Sequence, residues 1–117
     1  MTTATAATAA LSTQDGFTVA SVEGEIDISN CTGLAAQLSH AVPADARGLV
    51  LDLSCVTFID SSGTRMLFRL AARLAGHQQL LHLVVPDESP LRRTLGVLRV
   101  PAVAPIFAEP ADATSTR

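Results

Sequence analysis

The chain has no tryptophan, no tyrosine and no lysine, and only 4 phenylalanines among 117 residues. Without Trp or Tyr there is little to stack on bases. With a net charge of -3 there is no basic footprint for a phosphate backbone, so nucleic acid is excluded as a partner. No apolar run approaches the roughly 18 residues of a membrane span, and no membrane partner is expected. The opening stretch has neither a positive start nor a Leu-rich segment, so it is not a signal peptide. Residues 1–7 are expected to be a flexible tail and the protein to be cytoplasmic. Cysteine is scarce as well: Cys31 and Cys55 form no CxxC pair, and no His/Cys cluster has zinc spacing. No metal and no cofactor is expected, and both thiols should be reduced in the cytosol.

What the chain does have is apolar bulk, 48% of its residues, enough to build the core of one domain. Residues 8–13 suit an edge strand, and Asp15-Gly16 is a hairpin turn signal. Residues 17–22 alternate as a second strand, ending near Gly24, with 25–29 a polar loop. Cys31, Leu34, Ala35, Leu38 and Val42 recur at helical spacing and predict a helix over about 30–42, with Ser29 as its cap and Pro43 as its stop. The short apolar run 48–53 suits a central strand buried on both faces. A linker holding Cys55 follows, then Phe58-Ile59 and a strong helix to Ala75, stopped by Gly76. Residues 80–85 form another strand, 91–98 a third helix and about 106–108 a last strand, with a frayed polar tail after Glu109. Strands joined through helices imply parallel pairing by right-handed crossovers. The expected fold is α/β with one mixed sheet.

Asp60-Ser61-Ser62-Gly63 lies between a buried strand and a helix, the end of an open α/β sheet where ligands and partners meet such folds. A serine there is exposed and sits at a helix N-terminus, whose free N–H groups and dipole favour negative charge. A phosphate on Ser61 would change the surface charge beside Asp60 and Asp27 without melting the helix. Taken alone, the four residues describe a plain helix start more simply than a phosphorylation site. The helix that follows turns Gly63, Leu67, Leu70 and Leu74 to the sheet, with Met66 and Ala71 flanking. Arg65, Arg69 and Arg73 recur every four residues on the other side, with Thr64, Phe68 and Ala72 beside them. Arg around an aromatic anchor next to a phosphorylatable serine makes a docking patch of Ser61, Thr64, Arg65, Phe68 and Arg69. A solvated charged face is the simpler alternative for the Arg stripe.

The run Val50-Leu51-Asp52-Leu53-Ser54 followed by Phe58-Ile59-Asp60-Ser61-Ser62-Gly63 and an apolar-striped helix resembles the core of STAS domains. Gly24-Glu25-Ile26-Asp27 resembles the family's other signature loop, and Ser89-Pro90-Leu91-Arg92-Arg93 with Leu95-Gly96 resembles its third helix. The resemblance covers about residues 17–108. It implies a STAS domain over 8–109, with a mixed four- to five-stranded sheet, helices packed mainly on one side, and a tail over 110–117. Stand-alone members are similar to bacterial anti-sigma factor antagonists. On that likeness Ser61 is the phosphoacceptor, Asp60, Ser62, Gly63 and Asp27 form its loop, and Ser62 starts the helix. The partners implied are an anti-sigma factor that is itself a GHKL-type serine kinase, and a metal-dependent serine phosphatase. The unphosphorylated form would bind the anti-sigma factor and free an alternative sigma factor. Thr64 departs from the Leu or Ile of many members, which bears on partner choice.

An enzyme would need a base for Ser61 or Ser62. His77 lies past the far end of the helix, about 20 Å from its start, His40 near the end of the first helix, and His82 in a strand. There is no Gly-x-Ser-x-Gly elbow, so no catalytic residue is assigned. The other alternative is a ligand-binding or scaffold subunit. Against a nucleotide stand the two carboxylates Asp27 and Asp60 and the lack of a Gly-rich phosphate loop.

Overall fold

The computed structural model describes residues 8–115. In chain order they form β1 (Thr8–Gln14), β2 (Phe17–Ile26), α1 (Cys31–Ala41), β3 (Gly48–Ile59), α2 (Ser61–Gly76), β4 (Leu80–Val84), α3 (Pro90–Val97), β5 (Ile106–Phe107) and α4 (Pro110–Ser115). Asp15 and Gly16 both take positive φ, 53° and 85°, the twist that a two-residue hairpin needs, and β1 folds back antiparallel on β2. The remaining pairings are parallel, giving one mixed sheet in the order β1-β2-β3-β4-β5.

Alternation along the strands divides the sheet's faces. Leu49, Leu51 and Leu53 of β3 and Leu81 and Leu83 of β4 point to one face, where they meet Leu34 and Leu38 of α1, Leu67, Leu70 and Leu74 of α2, and Leu91 and Leu95 of α3. Each such leucine is worth roughly 1.5–3 kcal/mol of burial, so this face holds the fold together. Phe17, Val50, His82 and Val84 point to the other face.

That second face corrects an expectation. Residues 110–115 are not a frayed tail but the helix α4, lying over β3, β4 and β5 with Ala113 and Thr114 buried. His82 Nδ1 donates to the Ala113 carbonyl at 2.8 Å, and its ring sits 5.2 Å from Phe17 and 4.9 Å from Phe107. Small polar residues hid the helix, because what it contributes is a backbone carbonyl and one methyl. Three helices cover one face, as expected, and α4 part of the other. The flexible tail expected over 1–7, and residues 116–117, lie outside the described residues.

The second correction bears on function. Residues 25–26 and the expected linker around Cys55 are strand: β2 runs on to Ile26 and β3 to Ile59, and the two stay paired as far as Ile26 opposite Ile59. Register irregularities lie between Ser21 and Glu23 and at Gly24, whose φ is 94°. They break the period-two pattern, and the second half of β3 buries only Val56 and Ile59. β4 pairs β3 only up to Asp52, so β2 and β3 project together beyond it. The loops that follow them are therefore neighbours.

Candidate functional site

Asp60 ties the two projecting loops together. Its carboxylate accepts from the Gly63 amide at 2.9 Å, capping α2, and from the Ile28 amide at 3.1 Å in the loop after β2. Its own amide donates to the Ile26 carbonyl at 3.1 Å. Asp27, between those two partners, thus lies beside the start of α2. Its Oδ1 accepts from the Ser29 amide at 2.9 Å and from the Ser29 hydroxyl. Ser29 is spent there and does not cap α1; Asn30 precedes that helix instead, without a side-chain cap. Asn30 fastens the loop, accepting from the Asp27 amide at 3.0 Å and donating to the Glu25 carbonyl at 2.7 Å.

Gly63 is a spacing residue. A Cβ there would stand 2.6 Å from Ile59 Cγ1, 2.9 Å from Ile26 Cγ2 and 3.1 Å from the Ile26 carbonyl. Its absence lets α2 start directly against both strand ends. The helix begins at Ser61, not Ser62, with Asp60 as N-cap. Ser61 is exposed and Ser62 half-buried. There is no acidic residue in the first turn of α2, whose N-cap is Asp60, so Ser61 stands at the positive end of a four-turn helix with the Asp60 carboxylate as its cap.

One member of the expected docking patch changes place, and another is only partly uncovered, as expected. Thr64 is 6% exposed, on the inner side of α2, its hydroxyl donating to the Asp60 carbonyl at 3.0 Å; it is closed to a partner because that turn of the helix is pressed against the strand ends. Phe68 is half-buried and packs against the main core. Arg65 and Arg69 are exposed. Phe68 and Arg69, one residue apart, are turned about 100° from each other around the helix, so they belong to different flanks. Ser61, Arg65 and Phe68, at spacings of four and seven, share one side. The sequence missed Ile28, 77% exposed at the mouth of the site; its only signal was an isoleucine standing in a polar loop.

No histidine serves Ser61. His40 is in the last turn of α1, His77 follows the far end of α2, and His82 lies on the other face of the sheet under α4. Among the described residues no group of three His, Cys, Asp or Glu side chains is placed to hold a metal ion. No helix among them is long and apolar enough to cross a membrane.

The sequence matches the STAS domain family model over residues 8–113. No curated protein sequence matches it. Among solved structures it is similar to an anti-sigma factor antagonist from Mycobacterium paratuberculosis, with a TM-score of 0.80 and 27% identity over 92% of this chain and 91% of that one. A putative anti-sigma factor antagonist from Thermotoga maritima gives 0.78 and 18% over 92% of each chain. The phosphorylated form of SpoIIAA, a Bacillus cell-fate determinant, gives 0.66 and 17% over 94% of this chain and 100% of that one. At those identities the last two likenesses are of fold alone. The family match extends past the expected boundary at 109 and takes in most of α4. A parallel pair of strands ending in an acidic loop and a serine-bearing helix start is thus set in a fold that the whole described chain shares, and the chain belongs to the STAS domain family.

Proposed function

We propose that the chain is an anti-sigma factor antagonist whose binding is switched off by phosphorylation of Ser61. The observation that carries this is the exposed Ser61 side chain at the first residue of α2, on a loop held by backbone and Asp60 bonds in which the serine hydroxyl takes no part. A dianion added there meets the positive end of the helix, and nothing in the core has to move. The likeness to the mycobacterial anti-sigma factor antagonist, at 27% identity over 92% of the chain, supports the role.

On this reading the unphosphorylated chain docks on an anti-sigma factor that is also a GHKL-type serine kinase, and an alternative sigma factor is freed. A metal-dependent serine phosphatase restores the starting state. Ser61 is a substrate group, and the chain needs no catalytic residue or cofactor of its own. Asp27, Asp60, Ser62, Gly63 and Ile28 form the loop that the partner meets, with Arg65, the uncovered part of Phe68, and Arg69 at its margin. Thr64 takes no part. All of this stays in the cytoplasm, where the sigma factor works.

The test is incubation with the kinase and ATP, with the phosphate mapped by mass spectrometry. Phosphate on Ser61 is expected; phosphate on Ser62 alone, or none, refutes the assignment. Ser61→Ala should bind the anti-sigma factor constitutively and Ser61→Glu at least about tenfold more weakly. Equal binding by the two variants refutes the switch.

A further inference from the structure

A groove of about 400 Å³ runs between α1 and α2, starting at Ile28 and Ser62 beside the Ser61 loop and continuing to Ser39 and Arg73. It exists because α1 turns small side chains to this side, Thr32, Ala35 and Ser39, so the two helices do not close over the space between them. Its floor is Cys31, Ala35, Met66 and Leu70, and Arg65, Arg69 and Arg73 form one wall. No acidic residue lines it. The chain carries 11 Asp and Glu against 8 Arg, yet among the described residues none of these three guanidiniums has an ion pair or a hydrogen bond. Arg92, by contrast, pairs with Asp87 at 3.1 Å and bonds the Val85 carbonyl at 2.8 Å, and Arg47 lies over the Phe17 ring.

The spacing of the three arginines decides what fits. Residues four apart on a helix are separated by about 6 Å along its axis, so the row spans about 12 Å. One phosphate or carboxylate is far too small to meet the row. Carboxylates at every fourth position of a second helix have the same period, and the small residues of α1 leave room for its backbone to approach. We propose that the α1–α2 groove is a docking site for an amphipathic helix of a partner protein, with Asp or Glu at i, i+4 and i+8 against Arg65, Arg69 and Arg73 and small apolar residues against Ala35, Met66 and Leu70. This is the helix-in-groove mode of recognition, with charge setting the orientation. It goes beyond the Ser61 reading and does not depend on it.

The test uses the full chain, labelled with 15N, and a synthetic stapled helix carrying Glu at every fourth position with Ala and Leu beside them. A matched helix with Lys in place of Glu is the control. The Glu helix should shift the amides of Cys31, Ala35, Ser39 and Ser62 and neighbouring groove residues, and should lose at least about tenfold in affinity between roughly 50 and 500 mM salt. The double variant Arg69→Glu/Arg73→Glu, both sites being exposed, should keep its urea melt, lose the Glu helix by at least about tenfold and gain the Lys helix. Equal binding of the two helices to the wild-type chain overturns the proposal, as do shifts scattered outside the groove. Saturation by dodecyl phosphate with no response to the Glu helix would make the groove a small-ligand site, and self-association that shifts the same amides would make it a contact between copies. Either result overturns it too. Phosphate mapping on Ser61 needs no peptide, so failure of the groove proposal and failure of the Ser61 reading are separate results.

Discussion

The two halves of β3 have opposite surroundings. From Gly48 to Asp52 the strand is held between β2 and β4, and Leu49, Val50, Leu51 and, just beyond, Leu53 are wholly buried. From Ser54 to Ile59 it has β2 alone for a neighbour, and Ser54, Cys55, Thr57 and Phe58 are exposed. The first half is an anchor and the second a bracket. The bracket is where the Asp60 bonds join two loops and where Ser61 is presented. Binding loops come from the less densely packed parts of a fold; here the chain obtains one by letting two paired strands outrun their neighbour.

Four substitutions would break or sharpen that contrast. The largest effect is expected at the anchor. A Cβ at Gly48 would stand 2.1 Å from the Leu80 carbonyl oxygen and 2.6 Å from the Leu80 nitrogen, both backbone atoms of the neighbouring strand. Gly48→Ala should cost about 4 kcal/mol or more in a urea melt, or prevent folding; a melt within about 1 kcal/mol of wild type would show that the anchor yields. Gly63→Ala at the bracket meets Ile59 Cγ1 and Ile26 Cγ2, both in buried, stiff β-branched side chains, and the Ile26 carbonyl, so one strand end must give by a few tenths of an ångström. About 2 kcal/mol is expected, with NMR shifts centred on residues 26–29 and 59–64; shifts of equal size at Leu51 would mean that the two halves are one unit.

Asp60→Ala removes the cap on α2 and the bond to Ile28. It should cost about 1 kcal/mol and speed hydrogen exchange at the Ile28 and Gly63 amides while leaving Leu51 protected. Unchanged exchange at Ile28 would show that the two loops hold together without the carboxylate. Smallest of all, Cys55→Ser on the exposed half should stay within about 0.5 kcal/mol; a larger loss would mean that the bracket is packed more firmly than its exposure implies.

The anchor was legible and the bracket much less so, for a physical reason. Residues 48–53 are an apolar run that only a strand buried on both faces explains. Residues 54–59 bury one side chain in three, which is neither strand nor helix period, because the irregularities around Gly24 offset the pairing. Ser61 was legible at a helix start, since Asp60 is a cap and Gly63 follows at the right distance. The inward turn of Thr64 was not: a threonine's polarity says surface, while a hydroxyl bonded to its own helix's Asp60 carbonyl is satisfied when buried. The three arginines were legible as a stripe, but the groove they wall depends on which face α1 offers them.

By itself the sequence determined the Asp15-Gly16 turn, the rows of leucine that make one α/β core, and the serine at the head of a strongly amphipathic helix, because turn chemistry and side-chain period act between near neighbours along the chain. Only the tertiary structure decided that Ile26 stands opposite Ile59, that Asp60 therefore reaches Ile28, that α4 closes over His82, and that a gap is left beside the arginines. Those depend on backbone groups and small side chains meeting across the sheet and between helices, where position counts for more than residue type.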